Sequence, residues 1–214
     1  MGAATTFVLW AAAIMATSPW MASTQVNRPC LGWRLPPSRS RSPTNPATQA
    51  DKRAILSGRP DLCANLTFVP VDFEKDDLAD ALLAAGLDSS RCALVSWLGV
   101  TMYLEQRVTV ATLVTLRRIV APGSVVIFDA YPRREETAFG ERSMFAAVRA
   151  LTATRGEPMI GAFDSAAFAK SIQGKGWRVT DVMKGDAMRR RWFANQPRIL
   201  WPPRSVLFYT LEAV

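Results

Sequence analysis

The sequence predicts an α/β protein, one open sheet with helices on both faces. Three observations point there. From residue 47 onward, apolar runs of strand length alternate with stretches of helical period. Acids or glycines stand where several of those runs end, at the carboxyl tips where open α/β sheets meet ligands. The composition, 49% apolar and 21% charged, is that of a globular chain with a core, and 214 residues fit one domain. Collagen, coiled coil and disorder throughout are excluded on the same ground.

The elements follow in order. Phe7 to Ala16 is the longest apolar run, short of the roughly 20 residues that cross a bilayer as a helix. No transmembrane helix is expected. Residues 21–46 carry Pro29, Pro36, Pro37, Pro43 and Pro46 around Ser38-Arg39-Ser40-Arg41-Ser42 with no apolar periodicity, and read as loop or disorder. Leu66 to Val71 reads as a short buried strand ending in Asp72-Phe73. Asp76 to Ala85 sets Leu78, Ala81, Leu82 and Ala85 at helical spacing, with acids where the helix dipole favours them and Gly86 as the stop. Cys92 to Leu98 is the next strand, followed by Gly99. Glu105 to Val120 returns to helical period through Val108, Leu113, Leu116 and Val120 until Pro122-Gly123 ends it. Ser124 to Phe128 is a strand with Asp129 at its end. Helices are expected near Arg142 to Ala153 and over Ser165 to Gly174. Trp177 to Val182 and Val206 to Leu211 finish as strands that suit an antiparallel pair.

Composition also narrows the chemistry. The chain has no histidine, which removes Ser-His-Asp and Cys-His nucleophiles and every His-ligated metal site. Cys30, Cys63 and Cys92 form no CxxC pair, so they read as reduced structural thiols and no metal is expected. The apolar stretch before Ala22-Ser23 imitates a secretory signal, but Met1 to Thr6 lacks the basic residues of one. The net charge of +8 is uneven. Residues 1–60 hold seven Lys or Arg against one acid, residues 61–104 two against seven, and residues 105–214 seventeen against ten. The nearest candidate for a nucleic-acid contact is Arg189-Arg190-Arg191-Trp192-Phe193, with Lys184 and Arg198 close by. The favoured reading of that stretch is a solvated loop with its two aromatics tucked into the core. An anionic small substrate could use it as well.

Asp72 and Asp129 stand at strand ends, where a carboxylate either accepts hydrogen bonds from a ribose or adenine or caps the next helix. Spacing alone leaves both roles open. Three blocks add to this reading. Pro46-Ala47-Thr48-Gln49-Ala50-Asp51-Lys52-Arg53, Leu66-Thr67-Phe68-Val69-Pro70-Val71-Asp72-Phe73-Glu74 and Ser96-Trp97-Leu98-Gly99-Val100-Thr101-Met102-Tyr103-Leu104 occur in that sequence order. They resemble the bacterial S-adenosylmethionine-dependent methyltransferases related to leucine carboxyl methyltransferase. The resemblance runs from about residue 46 to the C-terminus and takes in Val125 to Asp129 and Gly156-Glu157-Pro158.

The resemblance implies a Rossmann-like class I methyltransferase sheet of seven strands with a C-terminal antiparallel hairpin, its N-terminal part degraded. It implies S-adenosyl-L-methionine as cofactor, with Asp72 and Phe73 at its adenine end and Leu98 beside it. Leu98 and Tyr103 become candidates for the wall of the acceptor pocket. Methyl transfer needs alignment and a dry site more than covalent help, so the missing histidine is no objection. A carboxylate acceptor needs no base, whereas a hydroxyl acceptor does. Tyr103, Tyr131 and Asp129 are the available groups, and the sequence does not choose among them.

The chain departs from the family at its start. The glycine-rich turn after the first strand is best matched by Phe7 to Ser18, where Ala13 or Ile14 replaces glycine, Ala16 the acid and Ser18 the arginine. The strand whose acid grips the ribose corresponds to Ser40-Arg41-Ser42-Pro43-Thr44-Asn45, which has no acid. Intact text on both sides, Arg34-Leu35-Pro36-Pro37 and Pro46, suggests a translated frameshift between them. Two units are therefore expected: residues 1–45 as a degenerate remnant of the first strands, and residues 46–214 as the methyltransferase-like domain. The leading reading is a cytoplasmic methyltransferase acting on a small-molecule or carboxylate acceptor, with no metal, membrane or nucleic-acid partner. The alternatives are an inactive remnant of the same family and, last, a basic nucleic-acid-binding module.

Overall fold

A computed structural model describes residues 5–10, 40–44, 66–71, 76–154, 158–198 and 201–214. Seven strands form one sheet: β1 Thr5–Trp10, β2 Ser40–Thr44, β3 Leu66–Pro70, β4 Ala93–Leu98, β5 Val125–Ala130, β6 Trp177–Lys184 and β7 Leu207–Ala213. Their order across the sheet is β3-β2-β1-β4-β5-β7-β6. The first five run parallel, and β7 is antiparallel to both β5 and β6. The expected α/β class and the C-terminal antiparallel pair are both present.

Four of the five helices among the described residues form where the sequence reading places them. The first, α1 Leu78–Ala84, starts because the Asp77 carboxylate accepts the amides of Ala79 and Asp80 at 2.7 and 3.1 Å. It buries Leu78 and Leu82, and Gly86 leaves it at φ 78°. In α2, Gln106–Ile119, the buried positions Thr109, Leu113, Leu116 and Ile119 recur at the three- and four-residue steps of one helix face. Three further helices are α3 Phe139–Thr154, α4 Ser165–Ile172, capped by Asp164, and α5 Gly185–Trp192. α1 packs on α2, and α2 on α4.

The core forms where that helical layer meets the sheet. Val95 and Trp97 of β4 and Val126 and Phe128 of β5 are fully buried, as their alternation with half-buried neighbours requires. Phe128 stacks on Tyr209 of β7 at 5.1 Å and meets the edge of Phe168 of α4 at 5.6 Å. The Trp177 indole donates to the Leu113 carbonyl at 2.8 Å, which fastens the β6 edge to α2.

Two expectations are corrected. Residues 21–46 were expected to be loop, yet Ser40–Thr44 forms β2, an interior strand paired with β1 on one side and β3 on the other. The physical reason is that strand formation follows from two flanking backbones with free ladder positions, which local composition does not report. The segment 1–45 thus contributes two strands to the same sheet as the rest of the chain. The second correction concerns Arg189 to Phe193. The stretch through Trp192 is helical, with Arg190 paired to Asp186 at 3.1 Å one turn away, and Trp192 is 45% exposed instead of tucked into the core.

Candidate active site at the carboxyl edge

The strand order reverses between β1 and β4. From β1 the sheet grows through β2 to β3 on one side, and from β4 to β5 on the other. Connections leaving the carboxyl ends of two such strands diverge and open a crevice, the usual ligand site of an open α/β sheet. Trp10 and Leu98 stand opposite one another at those ends. Leu98 is half-buried at the end of β4.

The turn after β4 is held from β5. Gly99 takes φ 72°, a left-handed conformation costly for any residue with a Cβ. Its amide donates to Asp129 Oδ1 at 2.8 Å, and the Thr101 hydroxyl donates to the Asp129 carbonyl. One residue therefore fixes the turn through both its side chain and its backbone. A single 3-10 turn, Thr101–Tyr103, follows, closed by the Tyr103 amide on the Val100 carbonyl at 2.9 Å. Tyr103 is half-buried beside it.

Asp129 lies inside β5 and is buried, so the helix-capping role left open by its spacing is not the one it plays. Burial pushes its carboxyl up to about 6, and the Gly99 amide pulls against that rise. Two residues on, burial raises the Tyr131 phenol, and the Asp129 charge and Tyr103 raise it further. Three ionisable oxygens thus gather where β4 and β5 end.

A strap covers this cluster. The Gly161 amide donates to the Met102 carbonyl at 2.8 Å, and the Phe163 amide to the Tyr131 carbonyl at 2.9 Å. A Cβ on Gly161 would lie 2.5 Å from the Thr101 carbonyl oxygen, so only glycine lets the strap approach that closely. Arg149 of α3 donates to the Gly161 carbonyl at 2.8 Å, and Phe145 meets the Tyr131 ring edge-on at 5.8 Å. Sequence reading missed Thr101, Gly161 and Arg149, because their partners lie 28, 59 and 12 residues away and only the fold brings them together. An isolated glycine between Ile160 and Ala162 was the available signal for one of them.

Of the sequence-predicted cofactor residues, Leu98 sits at the β4 end as described. Asp72 and Phe73 lie outside the described residues, immediately after Val71, which is fully buried at the end of β3. No group of three or more Cys, Asp or Glu that could hold a metal occurs among the described residues. None of their helices is long and apolar enough to cross a membrane. Cys92 is a free thiol, 3.3 Å from the Pro122 carbonyl.

This sheet order, with its reversal beside β4 and its terminal antiparallel strand, is the fold of the class I methyltransferases. An O-methyltransferase family protein from Burkholderia thailandensis superposes with a TM-score of 0.60 at 13% identity, covering 99% of this chain and 51% of its own. A DUF574 family protein from Streptomyces avermitilis MA-4680 does so at 0.63 and 13% identity, covering 98% and 75%. The leucine carboxyl methyltransferase family model matches residues 44–117. YktD of Bacillus subtilis (strain 168), whose name is "Putative S-adenosyl-L-methionine-dependent methyltransferase YktD", is 28% identical over 158 residues, 71% of this chain and 50% of its own. These matches bear out the resemblance drawn from the three sequence blocks. The chain spans about half the length of the curated relative it matches.

The described residues fit S-adenosyl-L-methionine as far as they reach. An extended, partly apolar molecule needs a crevice at the strand reversal, a half-buried apolar strand end and a turn with little side-chain bulk, and Leu98 and Gly99 provide the last two.

Proposed function

We propose that this chain is an S-adenosyl-L-methionine-dependent methyltransferase acting on a small-molecule or carboxylate acceptor in the cytoplasm. The observation that carries the reading is the Leu98-Gly99 turn pinned by Asp129 at the reversal between β1 and β4. The family match over residues 44–117 and the YktD match support it. The absence of a disulfide expectation for the three cysteines supports the location.

The cofactor would supply a methyl group already activated on a sulfonium sulfur. In this proposal Asp72 and Phe73 hold its adenine end, Leu98 shields it from water, and Gly99 leaves room for it. Asp129 positions the turn and does not touch the reacting atoms. Tyr103 and Tyr131 line the acceptor side, with the strap at Gly161 limiting water there. A carboxylate acceptor requires nothing more than orientation in such a site.

Calorimetric titration of the purified chain with S-adenosyl-L-methionine tests the reading, beside the Asp72→Ala variant. Binding near the micromolar range is expected, weakened about tenfold or more by the substitution, because a charge-assisted hydrogen bond is worth roughly 1.5–3 kcal/mol. A folded chain that takes up no S-adenosyl-L-methionine would overturn it and leave the inactive-remnant reading in its place.

A further inference from the structure

The carboxyl edge of the sheet continues beyond the candidate active site. Ala130 at the end of β5 and Lys184 at the end of β6 both stand opposite Leu207, the first residue of β7. The connection from β6 to β7, containing α5, therefore rises from the same edge as the Leu98-Gly99 turn. Glu141 of α3 fastens it there. The Glu141 carboxylate accepts the amides of Arg204 and Ser205 at 2.6 and 2.9 Å and the Ser205 hydroxyl at 2.7 Å, with Arg189 at 3.7 Å. The same helix carries Phe145 and Arg149 against Tyr131 and the strap.

This connection concentrates charge. Residues 184–204 hold six Lys or Arg against the single acid Asp186, and so carry five of the eight net positive charges of the chain. Arg189 is occupied structurally, donating to the Pro202 carbonyl at 2.6 Å and lying 5.5 Å from the Trp201 ring centre. Arg198 lies 5.8 Å from the same ring, which places both guanidinium groups in one cluster. Arg190 is paired with Asp186. Among the described residues, no ion pair is made by Lys184, Arg191, Arg198 or Arg204. In the same connection Trp192 presents 45% of its surface to solvent, with Arg191 4.9 Å from its ring centre.

Cations outside close ion pairs, in one connection with an accessible flat ring, suit one chemistry. Phosphates satisfy the guanidinium groups, and an unpaired base stacks on an indole while a duplex base does not. A membrane surface fits less well, because α5 has one exposed ring and half-buried Ala187 and Met188, with no apolar face to insert. We propose that this basic rim is a binding surface for single-stranded nucleic acid, with Lys184, Arg191, Arg198 and Arg204 on phosphates and Trp192 on a base. The sequence ranks nucleic acid last among the readings because the basic excess is split around an acidic centre and this stretch reads as a loop with its two aromatics in the core, and the second of those grounds does not hold in the structure.

Fluorescence anisotropy of the full chain with a labelled mixed-sequence RNA of about 20 nucleotides, long enough for several phosphate contacts, tests the surface without any methyl donor. Its outcome is thus independent of the methyl-transfer reading. Four phosphate contacts predict a loss of affinity of about 50-fold between roughly 50 and 200 mM salt. The Arg191→Ala/Arg198→Ala pair should lower the slope of log affinity against log salt by about 1.4. Trp192→Ala should weaken binding by about tenfold or more with the slope unchanged, and Trp192→Phe should restore most of it. All three side chains lie on the surface, and unchanged circular dichroism secures the comparison. Salt-independent or undetectable binding overturns the proposal. So does equal affinity for a duplex of the same length, or indifference to Trp192→Ala.

Discussion

Asp129 carries opposing demands in one side chain. Its carboxylate is needed to hold the Gly99 amide, while its burial favours the protonated form and pushes it up to about 6. Because that value lies above the unfolded one of 3.8, the folded chain holds the proton more tightly than the unfolded chain. The associated stability is full below about pH 4 and is lost as pH rises through about 6. Asp129→Asn keeps an oxygen for Gly99 and removes the titration. Relative to that variant, the natural chain should lose on the order of 2–3 kcal/mol between pH 4 and 7, read from urea unfolding at each pH. Parallel curves for the two proteins would show that Asp129 does not titrate in this window. The sequence displayed an acid at a strand end but not its task, because the Gly99 amide that it accepts lies thirty residues away and enters reach only through the β4–β5 register.

The same divide between local and distant information governs the elements. The α2 stripe of Leu113, Leu116 and Ile119 is written in its own spacing, and the Asp77 and Asp164 caps stand next to the helices they start. Sequence therefore located α1, α2 and α4 closely. β2 has no such signature, since Ser40-Arg41-Ser42-Pro43-Thr44 lacks alternation and contains a proline. Its strand character comes from β1 and β3 on either side. Pro43, opposite Val69, has no amide hydrogen to give either neighbour. Pro43→Val should accordingly raise the urea midpoint, by about 1 kcal/mol of stability on the scale of strand preferences. A lowered midpoint would mean that the fixed proline backbone is worth more here than a ladder bond. α5 was hidden for another reason. Its three consecutive arginines look like solvated text, and the Arg190–Asp186 pair that marks a helix is legible only once helical spacing is assumed.

Across the whole molecule, stability converges on one aromatic group. Phe128 is fully buried and meets Trp97 of β4, Phe163 of the strap, Phe168 of α4 and Tyr209 of β7. It joins the parallel half of the sheet, the antiparallel edge, the helical layer and the wall of the site. Phe128→Ala should cost about 3–5 kcal/mol, measured as the shift in denaturant midpoint at constant slope. A change in slope as well would indicate that the two halves of the sheet no longer unfold together. Fold class and the direction of the last two strands were readable because periodicity and turn residues report them. The order of strands was accessible only through the family resemblance, as no local pattern states which strand lies beside which.

That order also sets the timing of assembly. β1 must wait for β4, since Thr5 pairs with Ala93, 88 residues later. At roughly 5–20 residues per second, a ribosome needs several seconds to deliver the partner strand, and closing so long a loop slows pairing further. Throughout that interval β1, an interior strand of the finished sheet, is held by nothing native on its β4 side. The nascent chain is then at its most adhesive, and its yield in a cell depends on synthesis rate and on holding chaperones as much as on the stability of the finished sheet.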